Sequence, residues 1–249
     1  MEFVSITALG VGGATVIGSA IGFLFKKISH RFSDFVLSFA AGIMLAAAVL
    51  GLILPSVDYG GDYGVLIAVC GIFAGALCLN LMDKLVPHLH RMAGVDIESH
   101  DNGNVGKVML FVMAIAIHNL PEGIAAGVGF GAGDESRALM IAAGIALQNI
   151  PEGMVIISPM LAAGVKPGRT FLIAAATGLV EVAGTFIGYF AVNIAEAILP
   201  FALAFAGGTM LYVISDEMIP ETHHEGTRGV TYALLIGFAV MLVMHEFLG

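Results

Sequence analysis

The chain is poor in charge: Asp, Glu, Lys and Arg make up 12% of its residues, against 58% hydrophobic residues and a mean hydropathy of +0.96. Soluble domains carry about 25% charged residues, so this composition belongs in a bilayer. Cysteine is scarce too. Cys70 and Cys78 lie eight residues apart in one apolar stretch, about 12 Å along a helix, which is beyond disulfide reach. They carry no information on redox compartment. Bases are outnumbered, 10 Lys and Arg against 19 Asp and Glu for a net charge of -9, and the acids sit in short loops and apolar spans rather than in a tail. Nucleic acid is not an expected partner. No Lys or Arg precedes Lys26, so the positive region of a signal peptide is missing and a retained first span is expected. The His-Glu-x-x-His string of zinc proteases is absent, as is any nucleophile motif. An enzyme is not expected.

What the sequence has is apolar runs. A membrane-spanning helix needs about 20 mostly apolar residues, and the stretches 3–25, 35–54, 63–81, 108–130, 138–161, 171–194, 199–218 and 231–247 qualify. The expected fold is all-α: a polytopic membrane protein, one transporter domain built as an eight-transmembrane-helix bundle. Most connections are a few residues long, which suits antiparallel neighbours. The exception is a long loop at about 82–107. Lys26, Lys27, Arg31, Lys84, Arg91, Lys107, Lys166, Arg169 and Arg228 fall in odd-numbered loops, and Arg137 alone falls in an even one. By the positive-inside rule the odd loops are cytoplasmic and both termini lie outside. The even loops instead carry Asp58, Asp62, Asp134, Glu135 and Glu196, a distribution that raises the local concentration of cations.

The fourth span holds His118-Asn119-Leu120-Pro121-Glu122-Gly123, and the fifth holds Gln148-Asn149-Ile150-Pro151-Glu152-Gly153, the same pattern thirty residues later. Consecutive spans run in opposite directions, so two copies near mid-depth form an inverted pair of the kind that binds ions in transporters. His118 with Glu122, and Gln148 with Glu152, are four apart and share a helix face. Pro121 and Pro151 crowd the carbonyls of Ile117 and Leu147, so kinks are expected in helices 4 and 5, turning Asn119 and Asn149 toward the same interior. The sixth span adds Glu181 at matching depth. An intramembrane acid costs roughly 2.5–3.5 kcal/mol, and clustered carboxylates repel one another. A divalent cation relieves both penalties. Imidazole, carboxylate and amide donors suit zinc, iron(II), manganese, cobalt or cadmium better than copper(I).

The paired motifs, Glu181, the eight spans, the outward termini and a His-bearing third loop resemble the ZIP (Zrt/Irt-like) family of metal transporters, in particular its prokaryotic GufA-like branch. The resemblance covers the whole chain. It implies import of divalent metal, zinc first among the candidates, across the cytoplasmic membrane through a binuclear site. One ion would lie near His118, Glu122, Gln148, Glu152 and Glu181, and a second near Asn119, Glu122, Asn149, Glu152 and Glu181. It also implies a homodimer in lipid. The chain departs from the family at Gln148, where many members have His, and at Asn149, where some have an acid. Asp83, His88 and His90 in the third loop are similar to the family's cytoplasmic metal-handling segment. His100, His223 and His224 are further inner-side candidates, with Asp216, Glu217 and Glu221 at the inner end of the seventh span. Met44 resembles a pore-lining gate residue. A proton- or sodium-coupled carrier of another solute would explain Glu181 but not the paired motifs with flanking amides.

Overall fold

The computed structural model describes residues 1–25, 29–92, 103–131, 135–194, 196–223 and 228–248. Among them there is no strand, and eight helices are long and apolar enough to cross a membrane. The all-α polytopic bundle read from the sequence is what forms. Its helices are α1 (Glu2–Leu24), α2 (His30–Ala46), α3 (Gly64–Met92), α4 (Gly103–Gly131), α5 (Glu135–Ala162), α6 (Pro167–Ile194), α7 (Leu199–Val213) and α8 (Arg228–Leu248). α2 continues through a π-helical segment, Ala47–Ile53, into Leu54–Tyr59, and α7 continues through a second, Ile214–Met218, into Ile219–Thr222.

The third connection is shorter than the sequence suggests. The α3 backbone stays helical to Met92, and α4 begins at Gly103, so the Pro87–His90 stretch belongs to a helix extension rather than a loop. Polar residues past Met82 end the hydropathy signal of the span, but they do not end a helix.

Packing follows an inverted repeat. α1 packs along α5 as α6 packs along α4, and α3 packs along α7 as α8 packs along α2. Each contact maps onto its counterpart when α1–α3 exchange with α6–α8 and α4 exchanges with α5. Exchanged helices run in opposite directions, so the relation is an inverted one. Glycine permits the closest approaches. A Cβ on Gly123 would collide with the Glu181 carbonyl, and one on Gly153 with the Thr15 carbonyl, so the two motif glycines seat α4 on α6 and α5 on α1 backbone to backbone.

The π segments have a local cause. Pro55 and Pro220 lack an N–H and crowd the carbonyl four residues back, at Gly51 and Asp216. The chain answers by widening one turn: Leu54 N–H donates to Val49 O and Ile219 N–H to Ile214 O, each five residues back. Pro121 and Pro151 stand instead inside continuous α-helices.

Candidate metal centre

The inverted repeat brings both motifs to the middle of the bundle. His118, Asn119 and Glu122 on α4, Gln148, Asn149 and Glu152 on α5, and Glu181 on α6 are all buried. The two asparagines are oriented by equivalent backbone groups. Asn119 Nδ2 donates to Thr177 O on α6 at 3.2 Å, and Asn149 Nδ2 donates to Val11 O on α1 at 3.3 Å. With their nitrogens held this way, both side chains present a buried Oδ1 that has no hydrogen-bond partner.

The same holds for most of the motif. Both carboxylate oxygens of Glu122, Oε1 of Glu152, and both polar atoms of the Gln148 amide are buried without a hydrogen-bond partner. Each unsatisfied buried polar group costs about 1–3 kcal/mol, and charged ones cost more. Such a concentration of unsatisfied oxygens at one place is not a packing solution, and oxygens of this kind could hold a hard or borderline cation. Glu181 differs. Its Oε1 accepts from Thr15 Oγ1 at 2.7 Å and its Oε2 from Asn149 Nδ2 at 2.6 Å.

A cavity of about 280 Å³ leads to the centre from one side. His118, Glu122 and Glu152 line it together with Asp216, Glu217 and Glu221 of the α7 end. Asp216 and Glu221 are exposed, so the cavity reaches the surface where α7 ends and α2 and α4 begin, on the side of the Lys- and Arg-rich connections. His118 Nε2 lies 2.7 Å from Glu217 Oε1, a close approach of α4 to the π segment of α7 that makes no hydrogen bond. Met44 lines the cavity as well. Toward the other side Leu52, Met140, Ile141, Ile145, Leu203 and Met210 belong to one buried apolar cluster.

The sequence candidates divide accordingly. The seven motif residues are all buried, although among the described residues no three His, Cys, Asp or Glu side chains form a ready metal cluster. Asp216 and Glu217 reach the cavity, whereas His223 turns aside, its Nδ1 2.8 Å from Ile219 O and 3.1 Å from Thr222 Oγ1. The side chains of Asp83, His88 and His90, and all of His100 and His224, lie outside the described residues. Sequence reasoning missed Thr15. A hydroxyl in an apolar span carries no signal by itself, and it is found only by matching α1 to α6 through the repeat.

Comparison with known proteins shows the family of the chain. The family model described as ZIP zinc transporter matches residues 95–245. The chain is 36% identical over 251 residues to the zinc transporter GufA of Myxococcus xanthus, covering 98% of each. It is 36% identical over 243 residues to the zinc transporter ZIPB of Bordetella bronchiseptica, covering 95% of this chain and 78% of the relative. With the zinc transporter ZupT of Chlorobaculum parvum it shares 34% over 255 residues, covering 96% and 94%. An eight-helix bundle with two inverted Pro-Glu-Gly motifs around a buried donor set, matched over nearly its full length by such relatives, belongs to the ZIP zinc transporter family.

Proposed function

We propose that the protein carries divalent transition-metal ions, zinc first, across the cytoplasmic membrane into the cell through the mid-depth site formed by His118, Asn119, Glu122, Gln148, Asn149, Glu152 and Glu181. The observation that carries this reading is the set of buried, unpartnered donor atoms on α4 and α5, placed where a cavity from one face ends. A carboxylate there is expensive unless an ion compensates it. The names of the relatives favour zinc, and the amide of Gln148 leaves room for cadmium, iron(II), manganese or cobalt.

The same residues are read as a site for two ions. His118, Gln148 and the glutamates would hold the first; Asn119 Oδ1, Asn149 Oδ1 and the same glutamates would hold the second, with Glu122 and Glu152 bridging. The acids Asp216, Glu217 and Glu221 along the cavity would receive the ion on its way to the cytoplasm. Both termini face outward by the distribution of Lys and Arg, and the working form is a homodimer.

Uptake of radioactive zinc into proteoliposomes tests the reading. Wild-type protein is expected to accumulate zinc and Glu152→Ala to lose that activity. A wild-type protein that moves another solute on a proton or sodium gradient, and is indifferent to metal, would overturn it.

A further inference from the structure

Glu181 is the one intramembrane glutamate of the site whose two oxygens are both satisfied, and one of the two donors comes from a helix that carries no motif. Thr15 on α1 is fully buried and donates its hydroxyl to Glu181 Oε1 at 2.7 Å. Buried threonines in helices ordinarily donate back to their own helix. Thr177 does so to Ala174 O at 2.8 Å, Thr185 to Glu181 O at 2.9 Å, Thr209 to Ala206 O at 2.7 Å and Thr222 to Met218 O at 3.0 Å. Thr15 reaches across to another helix instead. The carbonyl four residues before it, Val11 O, receives Asn149 Nδ2.

The backbone that holds Thr15 is fixed. Gly153 seats α5 directly on the Thr15 carbonyl, and the Ser19 hydroxyl donates to that carbonyl at 2.8 Å and to Gly153 O at 3.3 Å. In the inverted repeat Thr15 stands where α6 has Glu181: Gly153 meets Thr15 O as Gly123 meets Glu181 O, and Ser19 donates to Thr15 O as Thr185 donates to Glu181 O. One half of the repeat therefore supplies a carboxylate and the other half supplies the donor that holds it.

We infer that Thr15 is a positioning residue of the metal site, fixing the Glu181 carboxylate across the repeat axis so that this single acid serves both halves. The inference rests on the proposed metal site. A carboxylate ligand is oriented by its outer hydrogen bonds, and losing such a partner costs about 10–100-fold in metal affinity.

The test is zinc binding to the purified full-length protein by titration calorimetry, with folding followed by thermal unfolding. Thr15→Val, which keeps the shape and removes the donor, is expected to weaken the binding that depends on Glu181 by about 10–100-fold. Thr15→Ser is expected to restore it. Because Thr15 acts through Glu181, adding Thr15→Val to Glu181→Ala is expected to change nothing further. Wild-type affinity in Thr15→Val beside a weakened Glu181→Ala would overturn the inference. Equal losses in the Val and Ser variants, or additive losses in the double variant, would also overturn it by showing a packing role. If Glu122→Gln and Glu181→Ala both bind zinc as the wild type does, the site itself has been misassigned, and that outcome is distinct from a failure of Thr15 alone.

Discussion

α2 and α7 occupy equivalent places in the inverted repeat, and each breaks into a π segment just before a proline. Their chemistry is opposite. Upstream of Pro220 the widened turn carries Asp216 and Glu217, both on the cavity wall; upstream of Pro55 it carries Gly51 and Leu52, both buried. One backbone device thus stands beside an acidic cavity at one end and beside buried apolar packing at the other. Inverted symmetry supplies two equivalent backbones, and the side chains make one end polar and the other apolar.

The comparison breaks most completely at the centre between the two ends. Glu122→Gln and Glu152→Gln each remove one anion from the proposed site. Zinc uptake into proteoliposomes is expected to fall by more than the about 10–100-fold that loss of an outer partner costs. Near-wild-type uptake in both variants would refute the role of the motif.

Exchanging the two ends sharpens the contrast. Leu52→Asp, which gives α2 an acid like those of α7, buries a charge in the apolar cluster and is expected to destabilise the protein by roughly 2.5–3.5 kcal/mol, read as a lower unfolding temperature in detergent. Glu217→Leu, the reverse change at a partly exposed position, removes the close approach to His118 but buries no new charge, and is expected to lower the unfolding temperature less than Leu52→Asp does. It should instead slow zinc release into the cytoplasm, measured as uptake rate at saturating zinc. Equal destabilisation by both changes would show that the two ends do not differ in polarity as described.

The smallest effect belongs to the two motifs themselves. Gln148→His makes the α5 copy match the α4 copy at its first position and exchanges an amide for an imidazole. It should keep transport while raising the preference for zinc over manganese by about tenfold, roughly 1.4 kcal/mol, read from competition uptake. An unchanged or reversed preference would remove Gln148 from the ligand set.

Much of this was legible in the sequence for a physical reason: a bilayer accepts only helices whose apolar length matches its thickness, so eight runs yield eight spans. The central motif was legible because Pro-Glu-Gly occurs twice at equal depth. Other features were not. The π segments around Gly51 and Asp216 arise from proline sterics within otherwise regular apolar helices. The extension of α3 to Met92 is too polar for a hydropathy reading. Glu217 could be named as an inner-side acid, but its approach to His118 joins residues on separate helices. Thr15 is one hydroxyl among many, and only the packing of α1 on α5 and α6 gives it meaning.

The most direct test of the central claim is the anomalous signal of zinc in crystals of the protein grown with the metal. The account predicts a peak between α4 and α5 within about 2.0–2.2 Å of His118 nitrogen and the Glu122 or Glu152 oxygens. Zinc found only at surface carboxylates or histidines, with these side chains free of metal at saturating concentration, would contradict it.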